Sequence, residues 1–395
     1  MKKFLAPFII IAILISCSKT DQEGITQSAV SYPAIEAAFG GKIDLNSLVD
    51  YASQAKPAYI RKDNSGGVVV NNSKATLGRV LFYDKNLSVN NSVSCGSCHK
   101  QAFAFGDTAL VSSGVEGGLT GRHSMRLVNI RFATEAKMFW NERALNLEEQ
   151  VVQPIKDHAE MGFSGENGRL GFSALLSKLQ GIEYYKELFR FVYGDEQVTE
   201  GRIQEGLTHF VRSIQSFDSK YDAGRTLVNN DAASFPNFTT QENQGKQLFL
   251  ARPEFDAGGN RIAGGLGCNG CHNAPEFDID PNTRNNGIIG VVNESGIDIE
   301  NTRAPSLRDL VKSDGTVNGP MMHTGSFTSL QQVLGHYGTI QIAAGNAGGL
   351  DQRLRPGGFG QQLHLTAPEV NAVQTFLRTL AGTKIYTDTR WSNPF

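Results

Sequence analysis

The chain has 395 residues, 40% of them hydrophobic, with 43 glycines, five cysteines and a formal net charge of −2. That near-neutral balance, with no long basic run, argues against a nucleic-acid partner. The high glycine count and moderate apolar content point to loop-rich domains with little ordinary core.

The chain opens Met1-Lys2-Lys3, followed by an apolar run over residues 4–15 and then Ser16-Cys17. A basic start and a short apolar stretch predict a secretory signal over residues 1–17, too short for a stop-transfer span. Leu14-Ile15-Ser16-Cys17 resembles a bacterial lipoprotein box. That implies cleavage before Cys17, acylation of its thiol, and a lipid anchor holding the protein on a membrane without spanning it. The alternative is an ordinary signal peptide whose apolar run ends in cysteine. Residues 18–65 read as a polar tether and N-terminal extension, closing in the turn Asp63-Asn64-Ser65-Gly66-Gly67.

An internal repeat follows. Gly78-Arg79-Val80-Leu81-Phe82 and Gly245-Lys246-Gln247-Leu248-Phe249 both read as helix ends. Each precedes a C-x-x-C-H sequence: Cys95-Gly96-Ser97-Cys98-His99 and Cys268-Asn269-Gly270-Cys271-His272. C-x-x-C-H is the attachment signature of c-type haem: the two thiols add across the porphyrin vinyl groups and the histidine becomes the proximal iron ligand. A thioredoxin-like pair would not need the histidine, and a zinc site would need both pairs in one small ribbon. Two covalent haem c groups account for four cysteines and a lipid for the fifth, leaving none for disulfides. The expected fold is mainly α: two tandem cytochrome c-like domains, residues 66–235 and 236–395, each around one haem.

Between the motifs, residues 145–152, 172–179 and 184–192 read as helices. Residues 202–217 do too, with Ile203, Leu207, Phe210, Val211 and Ile214 on one face. Residues 229–240 form a polar, proline-containing linker. Thr366-Ala367-Pro368-Glu369 is a capping box with proline in the first turn; it opens a last helix carrying Val373, Phe376, Leu377 and Leu380 and stopping at Gly382.

Phe139-Trp140-Asn141-Glu142-Arg143-Ala144, Leu147-Glu148-Glu149-Gln150, Pro154-Ile155 and Ala159-Glu160-Met161-Gly162 follow the first motif. Arg303-Ala304-Pro305-Ser306-Leu307-Arg308-Asp309 and Met322-His323-Thr324-Gly325-Ser326-Phe327 follow the second. Together, over roughly residues 70–385, these resemble the bacterial di-haem cytochrome c peroxidase family, which includes MauG. The resemblance implies that Glu160 is the catalytic carboxylate at the first haem, with Gln150 lining the same pocket and Trp140 lying between the haems. One acid–base group there could take a proton from the peroxide oxygen that binds and return it to the oxygen that leaves. Where resting family peroxidases carry a distal histidine, this chain has Val115, and no histidine occurs over residues 100–122. The first haem is therefore expected to be open, with His123 as the alternative ligand after loop rearrangement. For the second haem the resemblance gives Tyr337 opposite His272, in competition with Met321, Met322, His323 and His336; His323 otherwise matches a non-ligand histidine. A phenolate is a hard anionic donor that favours ferric and higher iron. The resemblance also implies one calcium ion, held by backbone oxygens of Asn318 and Pro320; its asparagine is replaced here by His123, a poor ligand for a hard cation, so the site either persists with waters or is absent.

The expected activity is the two-electron reduction of hydrogen peroxide to water, with electrons from a small cytochrome c or cupredoxin. One alternative is a MauG-like oxidase acting on a protein or aromatic substrate through high-valent haems. The other is a di-haem electron carrier without catalysis. The expected location is the periplasmic side of a bacterial membrane, lipid-anchored, and the resemblance implies a homodimer.

Overall fold

The computed structural model describes residues 30–395 apart from 293–294, 301 and 347. The predicted signal, Cys17 with its lipid, and the start of the tether lie outside the described residues. From Tyr32 onward the chain forms one contact unit.

Helices dominate it. α1 (Pro33–Phe39) begins with proline and ends on Gly40 in the left-handed region; Ile35 and Phe39 are buried. The extension up to residue 60 thus supplies core, as Ile43, Leu45, Tyr51 and Ile60 are buried too. α2 (Asn72–Tyr83) is capped by Asn71, whose side chain accepts the Lys74 N–H at 3.0 Å. The first C-x-x-C forms a single turn, α3 (Cys95–Cys98), with a Ser94 capping box. The helix expected over residues 145–152 is instead two short pieces, α4 (Leu147–Gln150) and α5 (Gln153–Lys156). Pro154 sits in the first turn of the second piece, where it has no N–H to continue the first. α6 (Phe172–Gln180) and α7 (Glu183–Tyr193) lie where the pattern put them. α8 (Glu200–Ser213) stops short of Phe217. Beyond its end the Asn129 amide captures the Ser216 backbone, accepting its N–H at 2.8 Å and donating to its carbonyl at 3.0 Å. α9 (Lys220–Arg225) leads through the linker to α10 (Thr240–Leu250). Two small antiparallel ribbons follow, β1 (Pro253–Phe255) with β2 (Arg261–Gly264) and β3 (His272–Asn273) with β4 (Asp278–Ile279). α11 (Leu330–Gly338) and α12 (Ala367–Arg378) complete the set; Thr366 and Glu369 form the expected capping box. The last helix ends at Arg378, before Gly382. None of the described helices is long and apolar enough to cross a membrane.

The repeat seen in sequence is a repeat in packing. α2 crosses α8, and α10 crosses α12. At the first crossing, a Cβ on Gly78 would lie 1.9 Å from the Gly206 carbonyl oxygen and 2.8 Å from the Phe210 Cβ; at the second, one on Gly245 would lie 1.9 Å from the Ala372 oxygen and 2.9 Å from the Phe376 Cβ. Both glycines are required for backbone-to-backbone approach. One apolar cluster surrounds the first crossing, with Leu77, Leu81, Leu207 and Phe210. A second surrounds the other, with Phe249, Phe277, Val373 and Phe376. Each crossing stands behind one C-x-x-C-H segment.

Candidate active site

Two cavities open against these clusters, about 440 and 600 Å³, within the ~300–1,000 Å³ usual for cofactor sites. The first is lined by Cys95, Cys98 and His99, and also by Trp140, Gln150 and Glu160. The second is lined by Cys268, Cys271 and His272, with Met321, Met322, His323 and Tyr337. The structure therefore brings all the candidate haem-attachment, catalytic and iron-ligand residues but His336 to the expected cavity.

Local backbone geometry aims the groups. His99 follows α3, and its Nδ1 lies 3.1 Å from the Phe105 carbonyl. Ala104 and Phe105, both fully buried, take φ of 55° and 58° and curl the chain back to make that contact. Fixing Nδ1 on a carbonyl leaves Nε2 as the ligand nitrogen. Burial holds the His99 imidazole towards its neutral form and pushes that of His272 down to about 4. The His272 Nδ1 is buried without a hydrogen-bond partner.

Glu160 sits on a loop folded round Asp157, whose carboxylate accepts the Ala159 and Glu160 N–H groups at 2.8 and 3.0 Å. Burial raises the Glu160 carboxyl to about 7, Asp157 adds to the rise, and Arg143 opposes it. The Glu160 carbonyl accepts the Val115 N–H at 3.0 Å. Val115 is 1% exposed and does not line the cavity, so the loop preceding His123 is docked on the Glu160 loop. His123 is also buried. Its Nδ1 lies 3.1 Å from both the Ala109 and Leu110 carbonyls, and the His123 backbone N–H donates to the His323 carbonyl at 2.7 Å. Trp140 lines both cavities and donates its indole N–H to the His123 carbonyl at 2.7 Å.

In the second cavity the Asn286 amide donates to the Tyr337 hydroxyl at 3.2 Å and faces the Met322 sulfur at 3.3 Å. Phenol and thioether are thus gathered on one amide. His323 has its Nε2 3.0 Å from the Gly290 carbonyl, and the His336 Nε2 lies 2.8 Å from the Asn286 carbonyl, outside the cavity lining.

A model of the di-haem cytochrome c peroxidase family matches residues 72–230. The methylamine utilization protein MauG of Methylophilus methylotrophus is 28% identical over 271 residues, covering 67% of this chain and 72% of that protein. The cytochrome c551 peroxidase of Nitrosomonas europaea is 24% identical over 327 residues, covering 79% and 81%. The chain is a relative of the di-haem cytochrome c peroxidases and MauG. Its fold is theirs as well: a MauG-like protein associated with microbial copper homeostasis superposes with a TM-score of 0.64 at 23% identity, covering 87% of this chain and 99% of that one. A variant of the diheme peroxidase BthA from Burkholderia thailandensis gives 0.63 at 20% identity, covering 87% and 95%.

The family consists of di-haem enzymes, peroxidases or oxidases, which implies haem c, and the residues here fit that group. All four thiols of the two motifs are unbonded and line the cavities. Burial pushes Cys98 up to about 11 and Cys95, Cys268 and Cys271 to about 12. Paired thiols on one turn with a histidine next in the chain suit thioether links and a proximal iron ligand. Calcium is not shown. The His123 ring nitrogen lies 3.1 Å from the Ala109 and Leu110 carbonyls, and the Asn318 side-chain NH2 donates to the Asp309 carbonyl and the Tyr386 hydroxyl at 2.8 and 2.9 Å, while its Oδ1 is buried without a partner. A hard cation needs six or more oxygen ligands.

Sequence reasoning missed Asn286, which lies in no motif, and the role of residues 123–126 and 303–305 as the wall common to both cavities. Arg303 stood inside a quoted segment, but nothing in that segment says it reaches both sites.

Proposed function

We propose that the protein is a di-haem peroxidase that reduces hydrogen peroxide to water at the first cavity, with electrons entering through the second. The observation that carries this reading is Glu160, a carboxyl raised to about 7 on the wall that also holds Cys95, Cys98 and His99. When bound there, haem would supply an open iron position and the electrons that split the O–O bond. Cys95, Cys98 and His99 would hold the first haem, and Cys268, Cys271 and His272 the second. Glu160, as carboxylate, would take a proton from one oxygen of hydrogen peroxide held in the cavity. As acid, it returns that proton to the departing oxygen, which leaves as water. Gln150 lines the same cavity, where its amide would orient the substrate. Trp140, with its ring on both cavities and its N–H fixed by His123, is the bridge for electrons. The docking of Val115 away from the cavity supports a first haem open in the resting protein.

Tyr337 in the second cavity favours a second reading, a MauG-like oxidase that turns the stored oxidising equivalents on a protein or aromatic target. Peroxide chemistry is common to both readings, and the product separates them: an oxidised small cytochrome or cupredoxin against a covalently altered target. The repeated helix crossing supports two tandem cytochrome c-like domains, and the sequence of residues 1–17 supports export and a lipid anchor at Cys17. The test adds one equivalent of peroxide to the fully ferric protein and follows the haem spectrum. A fast change supports an open first haem. Reaction only after half-reduction means His123 or another group caps it, and no reaction in either state leaves an electron carrier.

A further inference from the structure

The wall shared by the two cavities carries two guanidinium groups, Arg126 and Arg303. Of the other arginines lining the cavities, Arg122 is paired with Asp298 at 2.8 Å and Arg353 with Asp351 at 2.8 Å, while Arg143, Arg252 and Arg284 have no ion pair among the described residues but each line one cavity only. Arg303 donates to the Lys137 carbonyl and lies in the field of Glu135, Glu142 and Asp278. Arg126 is poorer in partners. It has no ion pair among the described residues; one Nη donates to the Ser306 carbonyl at 3.0 Å, and its Nε is buried without an acceptor. Asp309 is the acid whose field it feels. That carboxylate is itself fully buried; its Oδ1 accepts the Gly382 N–H at 2.8 Å and the Tyr386 hydroxyl at 3.0 Å, its Oδ2 has no hydrogen-bond partner, and no ion pair joins it to Arg126 among the described residues. Burial drags the Arg126 guanidinium down to about 10. A buried guanidinium without a direct ion pair is costly, and an anion reaching its free N–H groups would offset that cost.

Each haem c brings two propionate carboxylates into its cavity, and Arg126 lines both. We propose that Arg126 is the shared counter-ion of the propionates of both haems, and that its charge sets the two reduction potentials together. The inference rests on the di-haem reading above. The physical reason is that a fixed positive charge in a low-dielectric wall stabilises an electron added on either side of it. A fork of five N–H donors can serve carboxylates from two directions, as a lysine ammonium cannot.

The experiment is a spectroelectrochemical titration of the holoprotein, with covalent haem counted in the same samples. In R126Q both midpoint potentials are expected to fall together, each by about tenfold in the ferrous-to-ferric equilibrium, which is about 59 mV for one electron. R126K, which keeps the charge, is expected to shift both by much less. A fall at one haem only, or at neither, overturns the proposal. Should R126Q not assemble, resonance Raman of the wild-type protein decides. Propionate bending modes at the strongly hydrogen-bonded position for both haems support the assignment, and a free-propionate mode at either overturns it. A wild-type protein with fewer than two covalent haems would instead bring down the di-haem reading itself, and the haem count shows which has failed.

Discussion

Replacing Glu160 with glutamine keeps the size of the side chain and removes its proton chemistry. In the folded protein burial and Asp157 lift this carboxyl to about 7, against Arg143. A group titrating there is ~9% ionised at pH 6 and ~91% at pH 8. The step in which it takes the peroxide proton should therefore quicken about tenfold between those pH values. E160Q should lose about 10²–10⁴ of the wild-type rate at pH 8 and show no such rise. The assay is stopped-flow absorbance of the fully ferric holoprotein mixed with one equivalent of hydrogen peroxide, in buffers spanning that range. A wild-type rate that is flat with pH, or an E160Q rate within about threefold of wild type at pH 8, would refute the reasoning. Stability gives an independent check. A carboxyl whose folded pKa exceeds its unfolded one makes the folded state bind the extra proton, so stability is lost as pH rises from about 4.5 to about 7. E160Q lacks that loss and should be more stable than wild type at pH 8, by on the order of 1–3 kcal/mol in denaturant unfolding.

The two helix crossings should respond alike. Gly78→Ala and Gly245→Ala each place a Cβ 1.9 Å from a facing carbonyl oxygen, and each should cost about 1–3 kcal/mol or more in thermal unfolding; a neutral outcome at either would mean the close approach is not needed there. Arg308 and Asp222 are a fully buried ion pair at 2.8 Å. Asp222→Ala should destabilise by about 3–5 kcal/mol, because it leaves the guanidinium without a counter-charge; equilibrium unfolding reads this directly. Tyr337→Phe removes the hydroxyl that accepts from Asn286 and should change the spectrum of the second haem alone. A change confined to the first haem would take Tyr337 out of the ligand sphere.

Much of the chemistry was legible in the residues themselves. C-x-x-C-H is a local device, its thiols and histidine lying on one turn and the next residue, so its reading needs no tertiary contact. The G-[RK]-x-L-F repeat pointed to two similar units, because a glycine at a close helix crossing leaves a fixed trace ahead of each motif. The capping box at Thr366 and the linker before α10 were equally local. Resemblance added Glu160, Gln150, Trp140 and Tyr337. Only the tertiary structure decided what depends on segments far apart in the chain. Asn129 ends α8 early by binding Ser216, and helical periodicity carries no record of that competitor. The carboxyl of Glu160 is shifted by burial among loops from residues 113–123, 139–143 and 157–162, a property of the cavity and not of the residue. Val115 could be read as a missing ligand, but its docking on the Glu160 carbonyl needed the fold. Arg126 looks ordinary in sequence, since its lack of an ion pair among the described residues is a statement about every element packed around it.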